Sequence, residues 1–277
     1  MLAVAGAAVL WSSGGLFIKV APFGAMTVAC GRALVTTAFY LIVLRPDLRK
    51  ARLSTGVAYA AMIVTFVCAT KLTTAANAIF LQYTGPAYVL ALSPWILGEA
   101  FDRVDAACVA LSLAGMSLFF VGRLEPGQLA GNVLGAVSGV AFALTVLLLR
   151  RDAKEGARDA VPSITLGNLL AGVTALPFAA GGFAGMSWQG AFVLLYLGVV
   201  QVGIAYLLFA RGLRTMPASE ASLISMLEPI LNPVWVFLGA GERPGPWAFL
   251  GGLIVVAAVA FRAMRRPDAE RAAARTH

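Results

Sequence analysis

The chain has 277 residues, of which 60% are hydrophobic and 12% are charged, and its mean hydropathy is +0.86. Soluble domains carry about 25% charged residues, so the composition excludes an ordinary water-soluble protein and predicts an integral membrane protein. The formal net charge of +8 does not indicate nucleic-acid binding, because most basic residues fall in short loops and in the C-terminal tail.

Ten segments are long and apolar enough to cross a bilayer as helices, which requires about 20 mainly apolar residues each. In chain order, the predicted spans are 2–20, 25–44, 56–72, 75–97, 104–121, 131–149, 163–180, 188–210, 219–238 and 246–263. The sequence therefore predicts an all-α integral membrane fold with ten transmembrane helices. The first segment lacks a basic leader and a small-residue cleavage site, so we expect a spanning helix rather than a signal peptide.

Lysine and arginine predict the orientation, because cytoplasmic loops are enriched in both. With both termini inside, the cytoplasmic loops and the tail hold most of the basic residues. The opposite side holds Lys19, Lys71, Arg123 and Arg243. We therefore expect a multi-pass protein of the cell inner membrane with both termini in the cytoplasm.

Two proline-broken segments occupy matching places in the two halves of the chain. The same number of residues separates Pro86 from Pro229 and Glu99 from Glu242. Five spans per half is an odd number, so the halves would have opposite orientations around a central cavity. Broken helices at matching positions point to a transporter's binding site. The predicted units are two inverted five-helix repeats at 1–121 and 131–263, a linker at 122–130, and a charged cytoplasmic tail at 264–277.

Glu228 is the first candidate for a functional residue, because an ionisable side chain deep in a span indicates function. On a continuous helix, Ser222, Ser225 and Asn232 would share its face. Glu228 could bind a substrate amine or a proton. Alternatively, it is a structural carboxylate that accepts hydrogen bonds from backbone groups freed by the neighbouring prolines.

The repeat predicts which face of the fourth span lines the cavity. Gly85 occupies the position equivalent to Glu228, so a charge-based role of Glu228 would be one-sided. Aromatic side chains near glycines or polar groups are further candidates, although helix packing explains each of them equally well. The candidate substrate-binding residues are Trp11, Ser12, Gln82, Tyr83, Gly85, Pro86, Tyr206, Ser225, Glu228 and Asn232.

Arg32 is the one basic residue well inside a span. Its guanidinium could bind a substrate carboxylate through two parallel hydrogen bonds. Alternatively, it extends to the membrane interface or pairs with a structural carboxylate. Gly131, Gly135 and Gly139 recur every four residues on the sixth span, a spacing that lets helix backbones approach closely.

Enzyme chemistry and metal binding are not expected. The three cysteines lack metal-ligand spacing, and the only histidine is the last residue. No nucleophile, phosphate-loop or zinc-protease motif occurs in the sequence. We therefore expect no catalytic residue, no metal site and no cofactor, with a small-molecule substrate and the lipid bilayer as partners.

Several motifs together resemble the drug/metabolite transporter superfamily: Trp11-Ser12, Leu-Glu-Pro at 227–229, Gly-Glu-Arg at 241–243, and Gly251-Gly252 in the last span. The likeness covers the whole chain as two EamA-type halves. It implies a secondary carrier of small amphipathic metabolites that works by alternating access. The stretch at 9–16 is similar to the bacterial aromatic amino-acid exporters of this superfamily, which implies amino-acid export. The alternatives are a nucleotide-sugar or other metabolite carrier, a channel or a membrane enzyme.

Overall fold

The computed structural model describes residues 1–119, 121, 128–155, 160–240 and 246–274, and within these ranges the chain is helical without a strand. The predicted Gly-Glu-Arg motif and most of the predicted linker lie outside the described residues. The α-helices are α1 (Leu2–Ser12), α2 (Gly14–Val20), α3 (Ala25–Phe39), α4 (Leu53–Leu72), α5 (Ala75–Gln82), α6 (Gly85–Leu97), α7 (Arg103–Phe119), α8 (Leu129–Lys154), α9 (Val161–Ala179), α10 (Trp188–Leu195), α11 (Ala205–Leu213), α12 (Ala218–Ser225), α13 (Leu227–Ala240) and α14 (Pro246–Ala274).

Within the described ranges, six helical stretches are long and apolar enough to cross a membrane. They are Leu2–Val20, Ala25–Leu44, Leu53–Leu72, Leu129–Lys154, Val161–Ala179 and Trp188–Leu213. The chain is therefore a multi-pass membrane protein. Two bounds differ from the sequence analysis: α8 begins at Leu129, within the predicted linker, and α14 extends to Ala274, through most of the predicted tail.

The fourth and ninth predicted spans are each divided into two helices. The first break falls at Tyr83 and Thr84, between α5 and α6, and the second at Met226, between α12 and α13. Pro86 and Pro229 each lie in the first turn of the helix after the break. A proline is tolerated there because the first N–H groups of a helix have no intrahelical acceptor. The prolines therefore start new helices rather than kink continuous ones.

The eighth predicted span contains a π-helical segment, Tyr196–Ile204, between α10 and α11. Two hydroxyl groups from the second span hold its backbone. Thr36 donates to the Gly198 carbonyl at 2.7 Å, and Tyr40 donates to the Gly203 carbonyl at 2.6 Å. Wide helical turns of this kind are frequent at functional sites.

Helix α8 packs closely against the first part of the fourth span, as its glycine spacing predicts. A Cβ on Gly131 would lie 2.7 Å from the backbone of Thr73, and one on Gly139 would lie 2.8 Å from the Leu81 carbonyl oxygen. A Cβ on Gly135 would instead meet the Leu81 side chain at 3.0 Å. This contact positions the break at Tyr83 against α8.

Ion pairs concentrate at the end of the bundle that the sequence predicts to be cytoplasmic. Arg150 pairs with Glu99 at 2.8 Å. Beyond the spans, the Arg52 guanidinium hydrogen-bonds the Glu155 carboxylate and so lowers the pKa of this carboxyl group. These pairs link the ends of several helices at the membrane surface.

Candidate functional site

A small cavity lies at the centre of the bundle, and side chains from several predicted spans line it. Its volume is about 30 Å³, whereas one water molecule needs about 10–15 Å³ of such volume. In this conformation the cavity therefore has room for about two water molecules. Its lining residues are Trp11, Arg32, Met62, Ile63, Phe66, Gln82, Tyr83, Phe142, Gln201, Val202, Tyr206 and Glu228.

Glu228 and Tyr83 join the two helix breaks at this cavity. The Tyr83 hydroxyl donates a hydrogen bond of 2.5 Å to the Glu228 carboxylate, and both side chains are buried. Glu228 lies in the first turn of α13, where the helix dipole stabilises a negative charge. The carboxylate that the sequence identifies is thus held by a side chain from the opposite broken span.

Arg32 contributes a positive charge to the same cavity although it is only 1% exposed. Its guanidinium donates to the Ile63 carbonyl at 3.2 Å and to the Gln201 side chain at 3.5 Å, and both acceptors are neutral. Burial excludes extension to the membrane interface. Among the described ion pairs none includes Arg32, so pairing with a structural carboxylate is not observed either.

Aromatic rings and amides form the rest of the wall. The rings of Trp11 and Tyr206 have centroids 4.8 Å apart, and the Tyr206 hydroxyl donates to Met62 Sδ at 3.4 Å. Gln82 donates to the Ser138 hydroxyl at 3.0 Å, and Gln201 donates to the Trp11 carbonyl at 3.4 Å. The cavity therefore combines an apolar aromatic wall with one positive and one negative side chain, an arrangement suited to a small amphipathic ligand.

Five of the ten predicted site residues line the cavity: Trp11, Gln82, Tyr83, Tyr206 and Glu228. They come from four predicted spans that are distant in sequence. The structure thus brings together the aromatic and ionisable candidates.

The other five candidates do not line the cavity. Gly85 faces α8, since a Cβ there would lie 2.7 Å from the Phe142 ring, and Pro86 is buried in α6. The Ser12 hydroxyl accepts a hydrogen bond of 2.7 Å from Trp235, and Asn232 lies against Gly15. Ser225 donates to the Ser222 carbonyl at 2.7 Å and adjoins the Tyr83 hydroxyl behind the cavity wall.

The helix breaks give a physical reason why some candidates on the fourth and ninth spans line the cavity and others do not. Steps of three and four residues define one face only along a continuous helix. The breaks at Tyr83 and Met226, where ψ is 9° and −5°, interrupt the regular helical turns of these two spans. The spacing rule therefore does not carry across a break, and in this structure Gly85 lies against Phe142 of α8 rather than in the cavity lining.

Several lining residues were missed by sequence reasoning. Gln201 is a polar residue in the middle of an otherwise apolar span, and this signal was available. Met62, Ile63, Phe66 and Phe142 are ordinary apolar residues of spanning helices, so nothing in their sequence context distinguishes them from lipid-facing or packing residues.

A second, larger cavity of about 780 Å³ opens at the charged end of the bundle. Several of its charged groups form ion pairs: Arg150 with Glu99, and Arg262 with Asp105, which also accepts from Ser219 at 2.5 Å. These paired groups have partners of opposite charge, whereas no described ion pair includes Arg32 in the central cavity. The central cavity is therefore the stronger candidate for a binding site.

Comparison with known proteins agrees with a transporter fold. The chain is 27% identical to an uncharacterized transporter from Archaeoglobus fulgidus, over 71% of this chain and 70% of the relative. It is 26% identical to the uncharacterized transporter YxxF from Bacillus subtilis, over 68% and 61% of the two chains. A crystal structure of another protein superposes with a TM-score of 0.76 at 18% identity, covering 94% of this chain and 95% of the other.

The sequence description of one family covers nearly the whole chain. The EamA-like transporter family matches residues 1–121 and residues 129–264. These two matches leave out only the junction between the halves and the C-terminal residues. The chain therefore belongs to the EamA-like transporter family.

Proposed function

We propose that the protein is a secondary transporter that exports small amphipathic metabolites by alternating access, and that its cargo is amino acids, including aromatic ones. The observation that carries this proposal is the central cavity. Glu228 and Arg32 lie there with an aromatic wall, at the point where two broken helices meet. A carrier needs such a site near the bilayer midplane, built from discontinuous helices.

We propose further that the chain forms ten transmembrane helices as two inverted five-helix repeats, with both termini in the cytoplasm of the cell inner membrane. Two observations support this arrangement. The family matches the chain twice, and each match contains a span divided into two helices, with a proline at the start of the second. Two such units can rock against each other around a fixed central site.

The choice of cargo rests on the cavity chemistry and on a resemblance. Tyrosine and tryptophan rings beside opposite charges suit a ligand that is apolar at one end and ionic at the other. The stretch at 9–16 is similar to the bacterial aromatic amino-acid exporter YddG, in which the cargo leaves the cell. Neither feature favours a bulky anionic nucleotide sugar, which would need several cations. Among the residues that the structure describes, Arg32 is the only cationic side chain lining this cavity.

The cargo can be tested with a panel of solutes in proteoliposomes. Purified protein would be reconstituted, and uptake of labelled phenylalanine, leucine, lysine and a nucleotide sugar would be compared with that of protein-free vesicles. We expect uptake of phenylalanine and leucine above this background and none of the nucleotide sugar. Uptake of the nucleotide sugar but of no amino acid would reject the amino-acid proposal, and it would still support the proposal that the protein is a transporter.

A further inference from the structure

Arg32 is a buried cation that forms no ion pair among the residues the structure describes. Removing a guanidinium from water costs several kcal/mol, and this cost is offset only by a close partner of opposite charge or by full hydrogen bonding. Arg32 has neither: its two hydrogen bonds reach neutral acceptors, and its Nε is buried without a partner in the described structure. A charge retained in this environment indicates that it binds an anion during function.

A second unpaired donor lines the same cavity. Trp11 Nε1 is buried and lacks a hydrogen-bond acceptor among the described residues, although the Trp11 ring packs well against Tyr206 and Phe209. Buried N–H groups nearly always have a partner in native structures. Two orphaned donors on one small cavity, from α1 and α3, therefore indicate an acceptor that the folded chain does not itself provide.

The negative charge lies elsewhere on the cavity wall. Glu228 is on α13 and is held by Tyr83, whereas Arg32 is on α3. The two charges are near enough for a Coulombic attraction, yet they form no ion pair among the described contacts. A ligand that carries both a carboxylate and an ammonium group could pair with Arg32 and with Glu228 at the same time.

We propose that Arg32, together with Trp11 Nε1, binds the carboxylate of a zwitterionic α-amino acid, and that Glu228 binds its ammonium group. This inference rests on the proposed transport function and assigns the two ends of its substrate. The apolar side chain of the ligand packs against the aromatic wall. Because the cavity in this conformation has room for only about two water molecules, the ligand binds to a conformation in which the spans bearing Arg32 and Glu228 are further apart.

The test compares three ligands that differ only in their charged groups. Phenylalanine carries both groups, phenethylamine lacks the carboxylate, and 3-phenylpropionate lacks the ammonium. Equilibrium binding to purified protein in detergent gives three dissociation constants for each variant. The variants are Arg32→Gln and Glu228→Gln, with Arg211→Gln as the control, because Arg211 is exposed and does not line the central cavity.

We expect the wild type to bind phenylalanine more tightly than either analogue. Arg32→Gln should weaken phenylalanine binding by about 10- to 100-fold, as for loss of hydrogen bonds to a charged group. It should leave phenethylamine binding unchanged. Glu228→Gln should weaken phenylalanine binding and leave 3-phenylpropionate binding unchanged, and the Arg211 control should bind all three ligands like the wild type.

Should Arg32→Gln fail to fold, Trp11→Phe provides the same test, since it keeps an aromatic ring and removes one donor. Its expected effect is about a two- to tenfold loss for the two carboxylate ligands and none for phenethylamine. The inference is overturned if the wild type does not bind phenylalanine. It is also overturned if Arg32→Gln or Trp11→Phe weakens the binding of phenethylamine as much as the binding of phenylalanine. Binding can be measured without transport. If the protein binds phenylalanine in this pattern but transports no solute, the proposed transport function is rejected and the inference about binding is kept.

Discussion

Gly139→Ala should destabilise the protein at the contact that positions the Tyr83 break. The added Cβ would lie 2.8 Å from the Leu81 carbonyl oxygen and 3.0 Å from that of Gln82. Ordinary contacts begin at 3.4 Å, so α8 and the fourth span must separate by about 0.4–0.6 Å, and both obstructing atoms are backbone. Overpacking of this kind costs about 1–3 kcal/mol, and the better helix propensity of alanine returns about 0.5–1 kcal/mol.

The net loss of about 0–2.5 kcal/mol, centred near 1 kcal/mol, corresponds to a melting temperature lower by up to about 10 °C, at 2–4 °C per kcal/mol. Gly135→Ala is the matched control one turn earlier. Its Cβ would lie 3.0 Å from the Leu81 Cβ and 3.2 Å from the Leu81 Cδ1, so the overlap is smaller than at Gly139 and is partly relieved by rotation of the Leu81 side chain. Melting curves of the three proteins in one detergent measure the difference. The reasoning is refuted if Gly139→Ala melts at or above the wild-type temperature, or if Gly135→Ala is the less stable variant.

Two further predictions follow from the site and from the proposed orientation. Tyr83→Phe removes the donor to Glu228 and should cost about 1–3 kcal/mol, since a buried carboxylate loses its partner. Tyr88→Phe, on an exposed tyrosine, should cost almost nothing, and equal melting temperatures for the two variants would contradict the role of Tyr83. Single cysteines near Asp102 and Glu242, in a protein without native cysteines, should react with an impermeant reagent from opposite sides of the membrane. Reaction of both from the same side would exclude inverted repeats.

Much of the fold follows from local sequence rules. Long apolar stretches predict spanning helices because an isolated bilayer helix must satisfy its own backbone, and the glycines of α8 predict a close crossing because a Cβ would clash. Glu228 was found for a similarly local reason: a carboxylate in an apolar span is costly unless it has a use. These inferences need only the residue and its immediate neighbours.

The rest depends on geometry that neighbours along the chain do not determine. The cavity position of Gly85 was predicted by extending one helical face across a break, and the break changes the direction of that face. The π-helical segment at 196–204 has no sequence signature, because side chains of the second span stabilise it. That Arg32 forms no ion pair among the described contacts is visible only when the helices are packed together.

Counterflow tests the central claim most directly. Proteoliposomes containing the wild-type protein are loaded with unlabelled phenylalanine and diluted into a trace of labelled phenylalanine. A carrier with one central site that alternates between the two sides predicts faster entry and transient accumulation of label in the loaded vesicles, compared with empty vesicles containing the same protein. If the folded protein transports phenylalanine at a rate that does not depend on internal loading, alternating access at this cavity is contradicted.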